Sequence, residues 1–167
     1  MAAQEPGPSA TRTVVEASTM IAFVFLGTIL SGALLTMWLP LPRLFPPPWN
    51  LIGIPITVAG ASALVFCGAF LSRQGIGTPY PRRPPKRLVT TGPFARIRNP
   101  IIASWGVLVI GVAITLNWTG LLLLMIPAFG VIQAYVVYHE EPILKKRFPM
   151  EYDSYAARVP RWIPRLP

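Results

Sequence analysis

Charge is scarce in this chain, and negative charge is scarcest. Six Asp and Glu stand against 15 Lys and Arg, and charged residues make up only 13% of the sequence. There is one cysteine and one histidine. A lone cysteine forms no internal disulfide, and Cys67 sits in an apolar run, where the thiolate is disfavoured. It reads as a bland buried residue. Without a Cys/His cluster no metal site is expected. A phosphate-binding loop, a His-Glu-x-x-His pair and a nucleophile elbow are all missing, and so is any internal repeat. Charge is wholly absent from Ala17 to Pro42, from Leu44 to Ser72 and from Asn99 to His139.

What fills those stretches is apolar. Hydrophobic residues make up 53% of the 167, too many for an ordinary soluble domain. A bilayer crossing needs about 20 apolar residues. The first two stretches hold one crossing each; the third has room for two, with "NWTG" (Asn117–Gly120) as the turn between them. The reading is an all-α integral membrane protein with four transmembrane helices, at about 19–39, 51–71, 100–117 and 120–139. The last two form a tight hairpin, and a cytoplasmic helical tail covers 140–167. Residues 1–16 are expected to be a disordered cytoplasmic N-terminus and 17–167 a single domain. The first span is too long for a signal-peptide core and no small-x-small site follows it, so a retained anchor is expected.

The basic residues fix the orientation. With both termini inside, 14 of them are cytoplasmic and only Arg43 is external, the positive-inside pattern. That placement argues against nucleic acid as a partner and for membrane lipids. A multi-pass protein of a cell membrane, of prokaryotic type, is the expected location. Trp38 and Trp49 stand where interfacial anchors stand. "PYPRRPPKR" is too rich in proline for a helix and is expected to lie extended along the surface.

The polar residues next to the last two spans are the candidate site. From Leu116 back to Asn99 is 17 steps, and from Leu121 forward to His139 is 18. At about 1.5 Å per residue the two arms reach the same depth. Arg96, Arg98 and Asn99 should therefore meet His139, Glu140 and Glu141. Arg presents a planar fork of donors for a carboxylate. The glutamates offer acceptors for an ammonium or for ribose hydroxyls. Adjacent helical residues point about 100° apart, so one glutamate can hold a ligand while the other pairs with Arg. His139 can take a proton near neutral pH. Gln133, inside the last span, reads as a helix-to-helix hydrogen bond. Beyond Glu141, Leu144, Phe148, Tyr152, Tyr155 and Val159 form one apolar helical stripe, split by Pro149 into two short helices.

Three ordered segments carry a resemblance: "LVTTGPFARIRNP" (88–100), "HEEPILKKRF" (139–148) and "EYDSYAARVPRWIP" (151–164). Together they resemble the integral-membrane methyltransferases, the group that includes isoprenylcysteine carboxyl methyltransferases and phospholipid N-methyltransferases. The chain departs from that pattern at Ala95, Arg96, Ile102 and Pro149. The resemblance implies S-adenosylmethionine as cofactor, held at the cytoplasmic ends of the last two spans. By position it implies catalytic roles for Arg98, Asn99, His139, Glu140 and Glu141. It implies cofactor contacts from Gly92, Pro93, Phe94, Arg98, Asn99, Glu140, Glu141, Tyr152, Tyr155, Arg161 and Trp162. The acceptor would be hydrophobic or lipidated, with a carboxylate, amine or thiol to methylate. Pro142 is expected to end the last span, so that the tail folds back as a lid with Tyr155 and Trp162 over the adenine. The alternatives are a small four-span transporter or a non-catalytic adaptor. A transporter should carry an ionisable group or a broken helix near the midplane, where this chain has only Pro55 and Pro127 as breakers.

Overall fold

The computed structural model describes residues 10–75 and 87–164, and for 10–18, 20 and 21 the backbone alone. Among the described residues there is no strand. Four long helices, α1 (Ala10–Trp38), α2 (Gly53–Gly75), α3 (Pro100–Leu116) and α4 (Thr119–Tyr135), are followed by the short α5 (Glu141–Arg147) and α6 (Pro149–Arg158). Two helical stretches are long and apolar enough to cross a membrane: Trp49–Gly75, which adds a 3-10 turn to α2, and Thr119–Arg147, which runs from α4 through α5. Ala22–Trp38 and Pro100–Leu116 are apolar but shorter.

The expected disorder over 1–16 is corrected in part. Helix α1 begins at Ala10, while residues 1–9 lie outside the described residues. From Ala10 to Ser18 there is neither proline nor glycine, and each residue added to an existing helix gains a backbone bond at little further cost. The extended reading of "PYPRRPPKR" falls mostly on 76–86, outside the described residues. Pro55 is not a midspan breaker. It lies in the first turn of α2, where a missing N–H is harmless. Pro127 does lie inside α4.

Hydroxyls in the apolar helices find partners within their own turn. Thr57 Oγ1 donates to Gly53 O, Ser104 Oγ to Pro100 O and Thr115 Oγ1 to Gly111 O, each at 2.7–2.8 Å. The outward faces are apolar: Phe23, Val65, Ile126 and Val131 are each at least 70% exposed. Helices with such faces associate by close backbone approach. Helix α3 packs chiefly on α2, and α4 on α1. Gly111 is where α3 meets α2. A Cβ there would run into the backbone and hydroxyl of Thr57. Gly120 N donates to Thr36 Oγ1 at 3.1 Å and joins α4 to α1.

The α3–α4 turn takes two residues. Asn117 adopts the left-handed conformation (φ 56°), a common helix stop that Asn tolerates. Its Oδ1 accepts from Phe45 N at 3.1 Å, and Asn50 Nδ2 donates to Thr115 O at 2.9 Å. The proline-rich connection between α1 and α2 is thereby bound to this turn. Trp38 and Trp49 stand exposed at the same end.

A leucine at Gly111 should force α2 and α3 apart at a cost of about 1–3 kcal/mol. Ala at Gly68, where nothing lies within 4 Å of the added methyl, should gain up to ~1 kcal/mol of helix propensity. Thermal melting in detergent should lower the first midpoint and leave the second equal or higher; equal melting of Gly111→Leu and the native chain would show that close packing at this glycine is not what joins the pair.

Candidate functional site

At the end of α3 and α4 away from the Asn117 turn, the two arms meet as the residue count requires. Arg98 Nη1 donates to Glu141 Oε1 at 2.9 Å. The tail closes the group: Arg161 Nε donates to Glu141 Oε1 at 2.7 Å and Arg161 Nη2 to Glu141 Oε2 at 3.0 Å, a two-pronged pair. The Arg98 and Glu141 side chains are 11% and 16% exposed, so this pair is largely out of solvent. Arg98 Nη1 also donates to the Tyr152 hydroxyl at 3.3 Å. Burial pushes the Tyr152 phenol up, and the Glu141 carboxylate pushes it the same way, so it stays protonated beside the carboxylate. Hydrogen bonding to Glu141 holds the Arg161 guanidinium more firmly in its charged form.

The tail reaches this point by packing, as its apolar stripe implies. Tyr152, Tyr155 and Val159 are buried together, with Leu144, Phe148 and Ala156 against them. Leu88 completes the cluster from outside the tail. That contact was not legible in the stripe, because Leu88 lies in a non-helical segment without periodicity. Beyond α6 the backbone is paired with the start of α3: Arg98 N donates to Pro160 O at 2.8 Å and Asn99 N to Arg161 O at 3.3 Å. Trp162 Nε1 donates to Gln133 Oε1 at 2.6 Å, and its ring lies edge-on to Phe129, 5.3 Å between centroids. Gln133 thus serves the tail rather than a neighbouring helix.

The remaining candidates separate into those that shape the site and those left open. Gly92 has φ 58°, and its Cα faces the Phe70 ring so closely that a side chain would collide with it. Pro93 O accepts from Arg96 N and Ile97 N, which turns the chain into α3. Phe94 is buried, and its carbonyl accepts from the Tyr155 hydroxyl at 2.7 Å. Burial pushes the Tyr155 phenol well above its ordinary range, so it remains a donor. Arg98 Nε and Asn99 Nδ2 are buried donors with no partner among the described residues. Glu140 has no hydrogen-bond partner there either, and His139 is exposed with its ring 5.1 Å from that of Tyr135. Among the described residues no three His, Cys, Asp or Glu side chains cluster.

Pro142 does not end the span. The helix continues through it, with Glu141 at φ −60° and ψ −42°, by widening into a π turn over Val136–Glu140. A wider turn relieves the clash between a proline ring and the preceding carbonyl that would otherwise break the helix.

A nickel-cobalt-cadmium resistance protein, NccN, from Alcaligenes xylosoxydans xylosoxydans is 27% identical over 139 residues, 83% of this chain and 54% of that protein. The chain therefore spans about half the length of the curated relative it matches. No solved structure matches. The family profile described as phospholipid methyltransferase matches residues 50–151, from the 3-10 turn before α2 to the start of α6. That is more than half of the sequence, and it includes both arms of the Arg98–Glu141 pair: the chain belongs to the phospholipid methyltransferase family.

Proposed function

We propose that this chain is an S-adenosylmethionine-dependent methyltransferase of the membrane. It crosses four times, keeps both termini in the cytoplasm, and methylates a lipid-like or lipidated acceptor at the cytoplasmic face. The observation that carries the reading is the pair of orphaned donors, Arg98 Nε and Asn99 Nδ2, buried beside the Arg98–Glu141–Arg161 group. A buried donor without a partner costs about 1–3 kcal/mol, and a ligand with carboxylate and hydroxyl oxygens removes that cost. Glu140 supplies the complementary acceptor for an ammonium. These residues fit S-adenosylmethionine in charge and in donor count.

When bound, S-adenosylmethionine supplies a methyl group already activated by its sulfonium. What the chain must do is align the acceptor and exclude water. Arg98 and Asn99 would hold oxygens at the base of α3, and Glu140 the opposite charge at the base of α4. Trp162 and Tyr155, fixed by their bonds to Gln133 and Phe94, would wall the site. Between α2 and α3 a groove of about 420 Å3 runs from Arg96 and Pro164 along Gly60, Ala63 and Ser104 to Val107. An apolar chain on the acceptor fits that lining. A carboxylate or thiolate acceptor needs no base; for an amine, His139 or Glu140 would take the proton. A non-catalytic adaptor is the second reading, and similarity to a metal-resistance protein favours neither.

Calorimetric titration of the detergent-purified chain with S-adenosylmethionine separates these readings, since an adaptor need not bind it. Asn99→Ala removes a donor that no described protein group uses, so the melting midpoint should hold while affinity falls roughly tenfold. Glu140→Gln should weaken binding by a similar factor. Lys145→Ala, which loses only the exposed pair with Asp153, should bind like the native chain. No heat of binding in the native chain would end the enzyme reading.

Topology has its own test. Cysteines at Leu44 and Ser72, in a chain lacking Cys67, should differ in labelling by an impermeant thiol reagent added outside. Leu44 should react and Ser72 should not; equal labelling would reject the four-span orientation.

A further inference from the structure

The turn that carries Glu140 is the least regular part of the long α4–α5 helix. Glu141 N–H bonds Val136 O, five residues back rather than four. A π turn of this kind takes up one residue more than an α-helix does over the same rise. Each residue beyond it therefore points where its predecessor would point in an unbroken α-helix, a difference of about 100°. In an unbroken helix Glu140, not Glu141, would hold the direction that now meets Arg98 and Arg161. Because two acids are adjacent, the register decides which one enters the clamp.

The sequence supplies a cause for the turn. Pro142 has no N–H to give, and in a continuing α-helix its ring would strike the carbonyl four residues back, that of Tyr138. The π turn covers Val136–Glu140 and so includes Tyr138. It ends two residues before the proline and occurs nowhere else among the described residues. Pro127, in the middle of α4, produces no such turn, so proline alone is not sufficient. What distinguishes Pro142 is the Arg98–Glu141–Arg161 group one residue before it, which holds the helix in the shifted register.

We propose that Pro142 is a positioning residue: by disfavouring the plain α-helix it tips the chain into the π turn, which the Arg98–Arg161 clamp then holds with Glu141 inside it and Glu140 outside. The ligand role of the freed Glu140 rests on the methyl-transfer reading, whereas the choice of register does not.

The test is thermal melting without cofactor, so it stands whether or not the chain is a methyltransferase. Glu140→Gln and Glu141→Gln are each made in the native chain and in a Pro142→Ala chain. In the native chain Glu141→Gln should lower the midpoint by roughly 5 °C or more, because it leaves two arginines facing a neutral group, and Glu140→Gln should change it by about 1 °C or less. In the Pro142→Ala chain the order should reverse. A Glu141→Gln variant that stays the costly one there overturns the proposal. Deleting Val137 from the Pro142→Ala chain gives the second measurement, needed if Pro142→Ala alone does not fold. It removes the residue that the π turn absorbs and returns Glu141 to the clamp through a plain α-helix. That chain should fold and remain sensitive to Glu141→Gln; a deletion chain that fails to fold, or that tolerates Glu141→Gln, rejects the register argument.

Discussion

The carboxylate of Glu141 ties together three pieces of chain that are far apart in sequence. One oxygen accepts from Arg98 at the base of α3 and from Arg161 in the tail; the other accepts a second prong from Arg161. Bringing these charges out of water is costly, and a pair of this kind contributes little net stability over an apolar equivalent. Its value is in what it forbids. Once formed, any state in which α3, α4 and the tail separate leaves an unpaired charge in a largely buried place. The backbone pairing of Arg98 and Asn99 with Pro160 and Arg161 depends on the same closure, because the tail follows Arg161 into position. So does the Trp162–Gln133 bond, one residue further on.

The stoichiometry of the clamp has a consequence for ligands. Two guanidinium groups against one carboxylate leave a net positive charge, and Arg98 still has an Nε–H with no acceptor. Asn99 adds a second orphaned donor from the next residue. An anionic group is favoured at that spot both by charge and by hydrogen-bond count. Glu140, outside the clamp, adds a carboxyl whose pKa is pushed up by burial and by the neighbouring Glu141, so that a cationic partner favours its charged form. A zwitterion is the ligand whose two ends match two such neighbouring fields.

The fold was legible in the sequence to the extent that it depended on local pattern. The charge-free runs set the helices, "NWTG" set the turn, and the four-four-three-four spacing from Leu144 to Val159 set the buried face of the tail. Equal arm lengths put Arg98 at the depth of the Glu140–Glu141 pair without saying which glutamate it meets. What was not legible depended on contacts without periodicity. Nothing in the sequence says that α3 packs on α2 and α4 on α1, because the apolar helices look alike on every face and the pairing rests on single glycines such as Gly111. Pro142 was misread for a related reason. Proline normally ends a helix, and only the π turn, a tertiary accommodation held by Arg98 and Arg161, lets the helix pass through it. Leu88 and the partner of Gln133 were missed because both contacts come from irregular chain.

The helix pairing also assigns work to the half of the chain that carries no motif. If α3 and α4 formed a self-sufficient hairpin, the depth of Arg98 relative to Glu141 would be set by their two-residue turn alone. They share a core, Val109 and Ala113 with Leu121, but each also packs on an outer helix, α3 on α2 and α4 on α1. The position of α3 along its own axis is then fixed by its close approach to α2 at Gly111 and Thr57, and that of α4 by the Gly120–Thr36 bond to α1. The Phe45–Asn117 and Asn50–Thr115 bonds lock the two pairs at the turn end. A slip of one residue in either pair moves one arm by about 1.5 Å, enough to stretch a 2.9 Å charged hydrogen bond beyond its useful range. The motif-free helices thus determine whether the charged residues at the other end can meet.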